Sequence, residues 1–111
     1  MVNWPAIIKL ADDAELVYVN DQHEWDKDAD LHRAHYDESD VLIDSSGSTF
    51  RLTQGSDQSV TPEPNADSIS LLDVLGLIKA HAALKGSCCV AKLSAASITD
   101  AFKIVESLDQ T

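Results

Sequence analysis

The chain has 111 residues, of which 44% are apolar and 24% charged, and a formal net charge of −11 from 8 basic and 19 acidic side chains. Those proportions belong to one ordinary water-soluble domain spanning residues 1–111 and exclude a disordered or fibrous chain. No apolar run approaches the ~20 residues of a membrane span, and the N-terminus lacks the basic and apolar regions of a signal peptide, so a cytoplasmic location is expected.

The charge is unevenly placed. From Ala11 to Asp67 there are 15 acidic residues against Lys27, Arg33 and Arg51, whereas from Ser68 to Thr111 four acids meet four lysines. A surface of that sign repels phosphate, which speaks against direct nucleic-acid binding and against attraction to anionic lipid, and leaves basic proteins or cations as partners.

Pro5 opens the apolar run Ala6-Ile7-Ile8-Lys9-Leu10, a polar turn follows, and Leu16-Val17-Tyr18-Val19 carries the branched and aromatic residues that suit a pleated sheet, so the two runs are expected to pair antiparallel. A second hairpin joins Val41-Leu42-Ile43-Asp44 to Thr49-Phe50-Arg51-Leu52, with Gly47 supplying the positive φ of a tight turn. Gln54 to Asp67 holds Gly55, Pro62, Pro64 and Asn65 without apolar periodicity and reads as a surface loop.

The period then changes. Ser68 to Lys85 is apolar nearly all round and predicts a well-buried helix, with Ser70-x-x-Asp73 capping its first turn and Gly86 just past its end. Cys88 to Leu93 is short and branched and reads as a strand. A last helix begins near Ser94 or Ser97, where Ser97-Ile98-Thr99-Asp100 repeats the capping pattern, and sets Ile98, Ala101, Phe102, Val105 and Leu108 on one face. The order β-β-β-β-α-β-α predicts an α+β two-layer sandwich, a mixed sheet of about five strands with two helices on one face; the other face, if it stays open, is the natural place for a partner.

The segment Asp21 to Asp40 is the most unusual stretch, crowded with acids and holding three of the four histidines, Trp25 and Tyr36. Asp26-x-Asp28-x-Asp30 has the alternate carboxylate spacing of a calcium loop, but Leu31 stands where such a loop turns on Gly, and Asp37 where a longer Glu closes it. His32-x-x-His35 sets imidazoles at a spacing that suits a transition metal only on a helix. Cys88 and Cys89 are adjacent and point to opposite faces of a strand, which suits small apolar fillers rather than a mutual disulfide or a shared metal. There is no G-x-S-x-G, P-loop, G-x-G-x-x-G or H-E-x-x-H pattern, so no reaction or cofactor is indicated.

Three phrases, Trp4-Pro5-Ala6-Ile7-Ile8-Lys9-Leu10, Leu42-Ile43-Asp44-Ser45 with Gly47, and Cys88-Cys89-Val90-Ala91-Lys92-Leu93-Ser94, resemble the recurring blocks of a family of short gamma-proteobacterial proteins that form a domain of unknown function. The resemblance implies a small bacterial protein and carries no functional residue with it. The residues themselves point to a non-catalytic interaction or regulatory domain that meets a basic or mixed protein surface through Trp25, Tyr36, Asp37 and Glu38, the competing reading being a divalent-cation module built on Asp26, Asp28 and Asp30.

Overall fold

A computed structural model describes residues 2–11, 13–33, 36–55, 59–86 and 93–109. Among them run β1 (Ala6–Lys9), β2 (Leu16–Val19), α1 (Gln22–Lys27), α2 (Ala29–Arg33), β3 (Val41–Asp44), β4 (Ser48–Gln54), β5 (Val60–Ser68), α3 (Leu71–Leu84) and α4 (Ile98–Asp109). The five described strands form one sheet in the order β2-β1-β3-β4-β5, and every neighbouring pair is antiparallel. The fold is α+β.

Both expected hairpins are present, and the second shows why its turn needs these residues. Asp44 is fully buried at the end of β3, and its carboxylate accepts the backbone N–H groups of Asn3, Ser46 and Ser48, each at 3.0 Å, and the Ser46 hydroxyl at 2.6 Å. Four donors compensate the desolvation of one carboxylate and fix the turn around it. Gly47 follows at φ 86°, and its carbonyl accepts the N–H of Ile69 at 2.8 Å. A Cβ there would sit 2.6 Å from the Ile69 carbonyl oxygen and 3.1 Å from Cδ1 of Ile98, so the bare backbone is what lets the start of α4 and the approach to α3 close over the hairpin.

The helix boundaries follow from their caps. The Ser70 hydroxyl accepts the N–H of Asp73 at 3.2 Å to open α3, Gly86 closes it at φ 76°, and the Ser97 hydroxyl accepts the N–H of Asp100 at 3.1 Å to open α4. Ala101, Phe102 and Val105 lie fully buried against Ile7, Leu16, Ile43, Val74 and Ile78, as the periodicity of the last helix requires.

The sheet is not open on its other side. Alternation along β1 sends Ile7 toward α3 and α4, and sends Ala6 and Ile8 the opposite way, where they join Val19, Leu42, Phe50, Leu52, Val60 and the buried indole of Trp25. The two helices α1 and α2, absent from the sequence reading, cover that second face, so the described architecture has helices on both faces rather than two layers. Asp21 caps α1 by accepting the N–H of Glu24 at 2.8 Å, and Asp28 ends α1 and opens α2 by accepting the N–H groups of Asp30 and Leu31 at 3.0 and 3.4 Å. Asp21 and Asp28 thus serve as caps that break the chain into two short helices.

A second correction concerns Gln54 to Asp67. Most of that stretch is the edge strand β5, paired with β4 from Gln54↔Val60 to Ser48↔Ser68 with an irregularity near Ser48 and Phe50. Prolines are compatible with a strand when their missing N–H would face outward. Gly55 donates to the Ser59 carbonyl at 2.7 Å, and counting from that bonded pair places Pro62, opposite Leu52, and Pro64, opposite Phe50, at positions whose N points away from β4. The strand expected over Cys88 to Leu93, with the parallel crossover it implied, lies largely outside the described residues.

Candidate functional site

Trp25 is 2% exposed and forms the centre of an aromatic cluster, 6.5 Å from the tilted ring of Trp4 and 5.2 Å, edge-on, from the imidazole of His32. Its burial makes it a core residue, which removes it from the surface a partner would touch. His32 is occupied as well. Its Nδ1 accepts the backbone N–H of Val60 at 2.9 Å, and its Nε2 lies 2.8 Å from the Trp25 carbonyl. A carbonyl only accepts, so Nε2 carries the proton and the ring is a neutral bridge between α1, α2 and the start of β5. The His32-x-x-His35 metal pair therefore loses His32 as a free ligand, and His35 lies outside the described residues.

Of the three spaced aspartates, Asp26 accepts a hydrogen bond from the Gln22 side chain at 2.9 Å, Asp28 is engaged as a helix cap, and Asp30 stands in the first turn of α2. All three are exposed. Among the described residues no group of three or more His, Cys, Asp or Glu side chains is arranged to hold a metal ion.

Tyr36, Asp37 and Glu38 come together. They form one wall of a cleft of about 240 Å³ whose other wall is β4 from Arg51 to Gln54. Tyr36 is partly buried, and its hydroxyl donates to the Leu31 carbonyl at 2.8 Å. Its phenol is raised above the usual pKa of 10.0, first by burial and then by the carboxylates of Asp28 and Asp40. Asp37 and Glu38 are exposed and sit on a turn that Asp40 holds in place. Asp40, 6% exposed, accepts the N–H of Asp37 and the N–H of Ala11, each at 2.7 Å, and so ties the turn to the β1–β2 connection. Arg51, on the opposite wall, faces Glu63 of β5 at 3.9 Å with both side chains half exposed, a weak pairing in water. Sequence reasoning missed Asp40, although a short acidic side chain just before an apolar strand is a residue type that bonds local backbone.

A second groove lies between α1 and β5. Gln22, Trp25 and His32 face Ser59 to Pro62 across about 240 Å³, and the groove continues past Thr61 and Pro62 to Phe50, Pro64 and Val2 over about another 220 Å³. Asp26 also lines it, and His32, its one imidazole, has both nitrogens in structural bonds and offers neither to a reacting group. Among the described residues, no helix is long and apolar enough to cross a membrane.

The architecture has a solved counterpart. An NMR structure of a protein from Shewanella amazonensis matches 97% of this chain and 90% of its own with a TM-score of 0.70 at 27% sequence identity. No curated protein matches. The correspondence with a gamma-proteobacterial protein agrees with the phrases singled out in the sequence, and a family match over residues 4–105 takes in both hairpins, α1 to α3, most of α4 and the Tyr36 cleft, so the chain belongs to the DUF4144 family, described as a protein structure with unknown function.

Proposed function

We propose that the protein is a non-catalytic interaction module that receives a basic segment of a partner protein in the cleft between Tyr36, Asp37 and Glu38 on one side and Arg51 to Gln54 on the other. The observation that carries this reading is the buried carboxylate of Asp40, which fixes the turn so that two exposed acids are displayed beside a partly buried aromatic wall before any partner arrives. A turn already ordered loses little conformational entropy on binding. The surplus of acids from Ala11 to Asp67 adds a long-range field that draws a cationic segment toward the cleft.

The test is affinity capture from the native cell with the wild type and with an Asp37→Lys, Glu38→Lys double variant. Both positions are exposed, so the variant keeps its fold, which its circular dichroism and melting curve verify. Loss of a captured protein with the double variant, and release of that protein from wild type by added salt, supports the reading. Capture of the same proteins by both forms refutes it.

A further inference from the structure

Helix α3 is apolar on the side that the fold covers and on the side that it does not. Val74, Ile78, His81 and Ala82 are buried, while Leu72 is 78% exposed and Leu84 57% exposed, and Gly76 and Ala80 complete the outward stripe between them. A helix that is hydrophobic all round normally has neighbours all round. Gly76 adds to the point. It sits mid-helix, where glycine is poorer than almost any other residue, and a Cβ built on it meets nothing within 4 Å, so packing among the described residues does not require it.

We infer that the outward face of α3 is the contact between two copies of this chain. The pattern of the stripe selects that occupant. A second copy carries the same net charge of −11, so the acidic stretch from Ala11 to Asp67 opposes pairing through its own counterpart, a repulsion that the neutral half does not add. Within α3 the charged side chains are one acid and one base, Asp73 and Lys79, which cancel. The stripe is also self-complementary, as a two-fold interface demands. Pairing two α3 helices antiparallel about residue 78 sets Leu72 of each copy level with Leu84 of the other and Gly76 level with Ala80, so the large side chains meet at both ends and the small ones let the backbones draw close in the middle.

Sedimentation velocity across micromolar to millimolar protein tests this. The expected result is a concentration-dependent species of twice the 12.0 kDa chain mass, weakened at least tenfold by Leu72→Lys with Leu84→Lys. Gly76→Gln keeps the readout separate from folding, because the monomer has open space at that position. Its melting temperature at low micromolar protein should stay level or rise while self-association falls. A 12.0 kDa particle at every concentration overturns the inference, as does a dimer that the three substitutions leave untouched, which would place self-association on another surface.

Discussion

The imidazole of His32 accepts the backbone N–H of Val60 at 2.9 Å, and Val60 is the first residue of the edge strand β5. The other outermost strand among the described residues is treated the same way, for Nδ1 of the buried His81 on α3 accepts the N–H of Leu16, the first residue of β2, at 3.0 Å. Counting along β5 in steps of two from Val60 meets Pro62 and Pro64, which have no N–H to offer. From Val60 to Pro64 the outer edge therefore presents no free donor to an incoming strand, a form of protection against edge-to-edge association.

Replacing His32 by Ala strips partners from the Val60 N–H and the Trp25 carbonyl and opens space beside the Trp25 indole. The expected loss is about 2 to 3 kcal/mol in denaturant unfolding, with faster hydrogen exchange at the Val60 amide. His32→Phe separates the contributions, since it keeps a ring against Trp25 and removes both hydrogen bonds. Wild-type stability in the Phe variant would show that the ring alone matters.

How far the sequence could be read depended on where the deciding physics was local. Caps at Ser70 and Ser97, the turn at Gly47 and the face of α4 were all legible, because each is set by neighbours within a few residues. The covered second face was less visible, yet it left a trace in the consecutive burial of Ala6, Ile7 and Ile8 on β1, since a strand apolar at successive positions is one buried on both sides. Dense charge concealed α1 and α2, whose apolar contribution comes down to Trp25 and Leu31, although Asp21-x-x-Glu24 was a usable capping signal. The strand β5 was hidden by its prolines. Only the pairing partner shows that both face outward.

Gly47 and Gly76 should respond in opposite directions to the same substitution. Gly47→Ala forces a side chain into the left-handed region and within 2.6 Å of a backbone oxygen, and should cost about 2 to 4 kcal/mol, the left-handed backbone supplying about 1 to 2 of that and the displaced contact the rest. Gly76→Ala meets nothing and should gain up to about 1 kcal/mol at protein concentrations where the chain is monomeric. Equal effects at the two sites, measured by chemical unfolding, would contradict the described turn.

Tyr36 sets a pH dependence at the alkaline end. Its folded pKa is raised by burial and by Asp28 and Asp40, so the folded state holds the phenol proton more tightly than the unfolded chain does. The associated stability is fully present below the unfolded value near 10 and is lost as pH rises through the higher folded value. Tyr18 shifts the same way, through burial and the carboxylates of Glu106 and Glu24. Tyr36→Phe gives up the hydrogen bond to Leu31 at every pH, so the informative quantity is the slope. Above about pH 10, the Phe variant should lose stability less steeply than the wild type. Parallel curves would mean that Tyr36 ionises as freely in the folded protein as in the unfolded chain.

Divalent metal distinguishes the interaction reading from the cation module based on Asp26, Asp28 and Asp30. The Asp28 carboxylate is engaged through Oδ1 as the cap of α2 and Asp26 is tied to the Gln22 side chain, so gathering these oxygens around one ion competes with bonds that the two short helices already make. Sodium chloride should raise the melting temperature whichever reading holds, because about 0.15 M salt shortens the screening length to about 8 Å and relieves the repulsion among the acids. Calcium, magnesium or zinc added at constant ionic strength removes that general effect. A specific site would stabilise the folded chain by about 2.7 kcal/mol at a hundredfold excess of free metal over its dissociation constant, whereas an acidic surface gains little beyond screening. The expected outcome is no saturable shift with any of the three ions. A shift that saturates at millimolar metal or below, and disappears when Asp26, Asp28 and Asp30 are changed to Asn, would instead establish the cation module and reduce the Tyr36 cleft to a surface feature.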